Sequence, residues 1–280
     1  MRSVRSRRRR TAVIAAVLAG GQGGDLALAA GVEVKALIPV AGRPLVSRVV
    51  EALQGAQQID EVVVICSPGR PLPDAAVLGA RQVPAAGAEF SDSLRAAAQE
   101  AGDGYVCLVT ADLPALTPAA VDAVVKFALD SGADLTYTIV EAGVVSEAFP
   151  GTVRTTVRLR EGRFTGGNVA VARAEVLLRS LARIESAFGR RKSIVGLTLL
   201  LGPMFLLRLA FGRPSVADAA ARGEAILGCR VAVYASPHPE IGFDVDKPCD
   251  LELAERLLAP PADRTVSTPD SGLQSPDSRL

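Results

Sequence analysis

Over its first 110 residues the chain alternates unbroken apolar runs with segments whose apolar residues recur at helical spacing. Thr11 to Ala19 is a continuous apolar run, the pattern of a strand buried on both faces of a parallel sheet. Leu45, Val46, Val49, Val50 and Leu53 share one face of a predicted helix, and Gly55 ends it. Val62 to Cys66 predicts a second buried strand, and a short strand is expected around Gln82 to Val83. A helix from about Asp92 to Glu100 and a strand from Tyr105 to Thr110 follow. Thr117 and Pro118 then mark a helix start: the hydroxyl can cap an orphan N–H, and proline has no N–H to leave unpaired.

The second half is more mixed. Asp134 to Val140 predicts a strand, and Thr155 to Arg160 alternates β-branched and charged residues before a turn at Glu161-Gly162. The pattern resumes through Phe164 to Ala172, so a β-ribbon leading into the sheet is expected. Helices are predicted from Ala174 and from Ser215, where Asp218 stands in capping-box position. A strand over Arg230 to Ala235 and a helix over Cys249 to Leu258 complete the pattern. Alternating strands and helices imply right-handed crossovers. The predicted fold is α/β: a single-domain three-layer sandwich with a mostly parallel central sheet and a small β-ribbon. Its ligand edge is expected at the strand C-termini. The expected organisation is a basic extension over 1–10, one domain over 11–258, and a disordered tail over 259–280, which lacks apolar periodicity.

Composition narrows the function. The 280 residues are 49% apolar and only 4% aromatic, enough for one large core. A net charge of +1 gives no global field that would gather nucleic acid. Cys66, Cys107, Cys229 and Cys249 show no metal-binding spacing and read as buried free thiols of a reducing compartment, so a cytoplasmic location is expected. A secretory leader competes for the first 31 residues, but the same apolar run reads as a strand entering a glycine turn. Residues 194–211 carry one charge, Arg208, and are interrupted by Gly196, Gly202 and Pro203. Two short helices are expected there in place of a membrane span. Peripheral membrane contact through 194–211 stays open.

Candidate chemistry begins at Ala19-Gly20-Gly21-Gln22-Gly23-Gly24, directly after the first strand. Residues without Cβ let backbone N–H groups close around a phosphate, although a plain turn explains the same glycines. No GK[ST] follows, and Asp25 with no helix opening at once rules against a dinucleotide fingerprint. Lys35 then stands alone in an apolar, proline-bounded run. An ammonium there suits neutralising an α-phosphate as charge builds in a transition state.

The segments LAGGQG and VKALIPVAGRPL resemble the GT-A-type nucleotidyltransferase superfamily, and most closely the MobA-like NTP-transferase family. The likeness continues in order through TADLPAL, TGGNVAV and GFDVDKPCDLELAERLL, covering about residues 12 to 258. The resemblance implies that the chain transfers a nucleotide from an NTP to a small phosphorylated or anionic acceptor, with Mg²⁺ as cofactor. It implies that Ala19, Gly20 and Gly21 hold the nucleotide, that Lys35 touches the phosphate under attack, and that Asp112 and Asp246 bind the metal. Ser91 and Ser93 stand near where the family contacts the base. Gly166, Gly167 and Asn168 match its acceptor-side loop, although a β-bulge explains them nearly as well. Arg154 and Arg158 could meet an anionic acceptor. Asp244 is a weaker acid candidate, two residues from Asp246.

One departure matters: the family's arginine just past the glycine loop is absent, since Gly24-Asp25-Leu26-Ala27-Leu28 offers no base. Losing its charge-assisted bonds to a triphosphate removes about 1.5–3 kcal/mol. Two other functions therefore stand beside nucleotidyl transfer. One is a GT-A glycosyltransferase reading Asp244-Val245-Asp246 as its DxD, and the other is a non-catalytic nucleotide-binding domain.

Overall fold

The computed structural model describes residues 11–21, 24–190 and 214–260. The basic extension, the apolar segment 194–211 and the tail from 261 onward lie outside the described residues, as do Gln22 and Gly23 of the glycine loop. Among the described residues, no helix is long and apolar enough to cross a membrane.

The first strands are β1 (Val13–Leu18), β2 (Pro39–Val40), β3 (Arg43–Pro44), β4 (Glu61–Cys66), β5 (Arg81–Pro84) and β6 (Tyr105–Thr110). They are followed by β7 (Leu135–Glu141), β8 (Thr156–Leu159), β9 (Gly162–Arg173) and β10 (Val231–Ser236). Helices α1 (Gly24–Ala29), α2 (Leu45–Gln54), α3 (Phe90–Ala101) and α4 (Pro118–Ser131) belong to the first half. Helices α5 (Ala142–Ala148), α6 (Ala174–Arg190), α7 (Val216–Leu227) and α8 (Pro248–Leu258) belong to the second. One sheet runs β5-β4-β1-β6-β9-β7-β10, with β8 added to β9 as the expected ribbon. All neighbours are parallel except around β9, which runs against β6 and β7.

Alternation along β1 sends its side chains into two cores. Val13, Ala15 and Val17 pack with α2 and α4 on one face, while Ala16 packs with α3 and α6 on the other. That is why the run carries no polar position, and why the domain has three layers. The helix starts follow local chemistry. Thr117 Oγ1 accepts from the Ala120 N–H at 3.2 Å, and Ser215 and Asp218 exchange bonds at 3.0 and 2.8 Å.

Three differences from the sequence reading stand out. A short helix, α1, does open straight after the glycine loop; it buries only Ala27, too little to leave a periodic signal. The seven-residue α5 was not predicted and buries only Val145. Cys249 is exposed in the first turn of α8, whose inner face is taken by Asp250, Leu253 and Ala254, whereas Cys66 and Cys107 are buried.

Candidate active site

Strands β1 and β6 are parallel neighbours in register from Val13↔Tyr105 to Leu18↔Thr110. Their C-terminal ends therefore release Ala19-Gly20-Gly21 and Ala111-Asp112 side by side. A cavity of about 520 Å³ opens between them, bounded by Gly20, Gly21, Lys35, Asp112 and the start of α3. The glycine loop is pinned from β4's side, because Ala19 N donates to Ile65 O at 2.9 Å and Ser67 Oγ donates to Gly20 O at 2.9 Å. A Cβ on Gly20 would come within 3.4 Å of that hydroxyl, so the loop lies close against Ser67. At the α3 end Glu89, Phe90 and Ser93 face the cavity, while Ser91 is buried and is not on its wall.

Lys35 opens a 3-10 turn, Lys35–Leu37, anchored by buried Ala36. Its ammonium donates to Asp112 Oδ2 at 2.5 Å and also to Asp246 Oδ1. Asp246 reaches this point because the loop before α8 is stitched to β6's exit, with Val245 N donating to Asp112 O at 3.0 Å. Carboxylate oxygens of Asp112, Asp244 and Asp246 lie within 4.8 Å of one another. Asp112 Oδ1 is buried with no hydrogen-bond partner. A buried anionic oxygen left unpaired is costly. Three hard carboxylates around it fit a small divalent cation, which takes oxygen ligands. Among the described residues, Lys35 is the one cation on the cavity wall, in keeping with the absent arginine.

The site's charges are mutually tuned. Burial works against the Lys35 ammonium, but Asp112 and Asp246 outweigh it and hold its pKa above the ordinary lysine range. Burial also pushes Asp246 upward, yet hydrogen bonds with Lys35 and Asp244 win and leave it below the usual carboxylate range. Asp244 goes the other way: burial, opposed by Arg154 and helped by Asp246 and Asp112, raises it to about 7.

On the ribbon side, Gly166, Gly167 and Asn168 sit in β9 where its pairing with β7 shifts register, so that residues 167–169 oppose Thr138 alone. A bulge is therefore present. A Cβ on Gly167 would meet Thr138 Oγ1 at 2.1 Å and Ile241 Cγ2 at 2.8 Å, and Asn168 Nδ2 donates to Ile241 O at 3.5 Å. Gly167→Ala should lower the melting temperature by several degrees in a thermal melt, an overpacking cost of about 1–3 kcal/mol. Arg154 is held by Asp244 at 2.8 Å and by Asp250 at 3.4 Å, while Arg158 is exposed on β8. The site thus includes two residues that sequence reasoning missed. Ser67 carried no signal. Asp250 stands three residues after Lys247, a spacing that could have shown it as the cap of α8.

The sequence matches the family model of the MobA-like NTP transferase domain over residues 15–198. It is 30% identical over 252 residues to a 2-C-methyl-D-erythritol 4-phosphate cytidylyltransferase of Frankia casuarinae, covering 88% of this chain and 81% of that protein. The fold is similar to a hypothetical transferase from Thermus thermophilus, with a TM-score of 0.74 and 36% identity, covering 86% of this chain and 99% of the other. It also resembles the 2-C-methyl-D-erythritol 4-phosphate cytidylyltransferase of Thermus thermophilus in fold, with a TM-score of 0.53 and 21% identity over 89% and 98% of the two chains.

Proposed function

The chain belongs to the MobA-like NTP transferase family, and from that membership we propose that it moves a nucleoside monophosphate from an NTP to a small phosphorylated or anionic acceptor, releasing pyrophosphate. The observation that carries this reading is that Lys35 and Asp112, both on the wall of the glycine-lined cavity, meet across 77 residues, and that Lys35 also bonds Asp246, 211 residues away.

In this reading the backbone of Ala19, Gly20 and Gly21 receives the triphosphate, and the base lies toward the start of α3. Lys35 neutralises the α-phosphate as charge builds there. Asp112 and Asp246 would hold Mg²⁺, with Asp244 beside them. Bound there, Mg²⁺ would orient the triphosphate and draw charge from the phosphate under attack. The acceptor's own oxygen attacks in line, so no protein nucleophile is needed. Gly166, Gly167 and Asn168, at the bulge in β9, would contact the acceptor, as the family's pattern implies. The single histidine takes no part: His238 Nδ1 lies 3.5 Å from Glu240, off the cavity wall.

The test is a thermal-shift screen of the four NTPs with and without Mg²⁺, followed by pyrophosphate release on an acceptor panel. CTP with 2-C-methyl-D-erythritol 4-phosphate is the first pair to try, given the relative's name. A metal-dependent shift for one NTP, and pyrophosphate release with one acceptor, are expected. An NTP that binds with no turnover on any acceptor would leave a nucleotide-binding domain. Turnover of a nucleotide sugar without pyrophosphate would point to glycosyl transfer.

A further inference from the structure

Arg154 ties the ribbon side of the site to the loop that carries Asp246. It lies in the extended stretch before β8, its side chain only 11% exposed, and its Nη1 pairs with Asp244 Oδ1 at 2.8 Å. Its Nη2 donates to the Asp244 carbonyl at 2.5 Å and reaches Asp250 Oδ1 at 3.4 Å. Asp250 is 1% exposed, and its Oδ2 accepts from the N–H of Asp246 at 3.2 Å and of Lys247 at 3.0 Å. The guanidinium also sits 5.7 Å from the centre of the Phe243 ring, which stacks on Phe149 at 4.1 Å. Residues 243–247 are thus fastened on both sides of Asp246 by one largely buried arginine and one buried carboxylate.

A helix cap accounts for Asp250's bonds to the backbone of Asp246 and Lys247. It does not account for a guanidinium brought from another part of the chain onto both the side chain and the carbonyl of residue 244. Buried ion pairs add little net stability, because desolvation offsets their attraction, but they fix geometry. A site that holds a small cation is sensitive to displacements of less than an ångström. Both terminal nitrogens of Arg154 are bonded to this loop and to Asp250, while its Nε is buried without a hydrogen-bond partner.

We propose that Arg154 and Asp250 are positioning residues that set Asp246 opposite Asp112. The proposal rests on the reading of Asp112 and Asp246 as a cation site. Its test is Mn²⁺ binding to the full chain, followed by electron paramagnetic resonance with Mn²⁺ alone. Wild type, Arg154→Gln, Arg154→Lys, Asp250→Asn and Asp112→Asn are compared, each with a thermal melt. Arg154→Gln should weaken Mn²⁺ binding about tenfold. Arg154→Lys, which keeps the charge but not the fork, should recover part of it. Wild-type affinity in folded Arg154→Gln and Asp250→Asn would overturn the proposal, however far their melting temperatures fell. Mn²⁺ that binds neither wild type nor Asp112→Asn would instead sink the cation site itself. If Arg154→Gln is too unstable to titrate, Arg154→Lys decides: affinity equal to wild type at an equal melting temperature overturns the proposal, and weakened affinity supports it.

Discussion

Asp112→Asn lowers pyrophosphate release by on the order of 10²- to 10³-fold, the size expected when one preorganised electrostatic partner of the reacting phosphate is lost. The substitution is nearly isosteric, and Lys35 keeps its bond to Asp246, so the fold should hold. It also removes one ionisable group from three carboxyl groups whose oxygens lie within 4.8 Å of one another. Losing one carboxylate relieves their repulsion, which offsets the loss of the Lys35 pair. The melting temperature without metal should therefore move by only a few degrees, while the rise on adding Mg²⁺ shrinks. Rate and metal response are measured on the same preparation. A variant that keeps its full rate would remove Asp112 from the chemistry, and one that loses rate only by unfolding would make it a structural residue.

Lys35→Ala should cost a similar factor in rate, for a different reason. The ammonium has a double tie: it holds Asp112 and Asp246 together, and in the proposed function it meets the α-phosphate. Without it the acids lose their nearest counter-charge, so the metal-free protein should melt earlier. Mg²⁺ should then raise the melting temperature more than in wild type, because no ammonium competes for the same oxygens. Activity and metal response thus move in opposite directions, an outcome that general destabilisation would not give. Lys35→Arg is expected to restore little, since a planar fork does not replace a compact point charge at a phosphate. A metal response in Lys35→Ala no larger than in wild type would show that the lysine and the cation do not share these carboxylates.

Much of this is legible in the sequence, and the reasons are local. Thr11 to Ala19 and Tyr105 to Thr110 announce buried parallel strands because both faces of each must be apolar. Thr117-Pro118 and Ser215 to Asp218 announce helix starts because capping chemistry is read within four residues. Lys35, Asp112 and Asp246 could be singled out because their flanking motifs keep a familiar order. Helices of six or seven residues, such as α1 and α5, span too few turns for a period to show. Ser67's bond to Gly20, across 47 residues, left no pattern to read. The same holds for Arg154 with Asp244, 90 residues apart: a partner for a buried arginine is set by tertiary approach, not by spacing. The base-side serine shows the limit at finer scale. Both Ser91 and Ser93 were in view, but only the helical phase of α3 decides which one turns inward.

The placement of β9 bears on how the chain is made. Its position between β6 and β7 means that β7 has no sheet neighbour until later segments leave the ribosome, since both β9 and β10 follow it. A nascent chain released up to about residue 150 could pair β1, β4, β5 and β6, yet β6, buried in the finished protein, would show an open apolar edge. That edge belongs to the strand whose C-terminal turn carries Asp112. Synthesis through Arg173 supplies β9 and covers that edge, whereas the acid pair of the candidate site waits for Asp246.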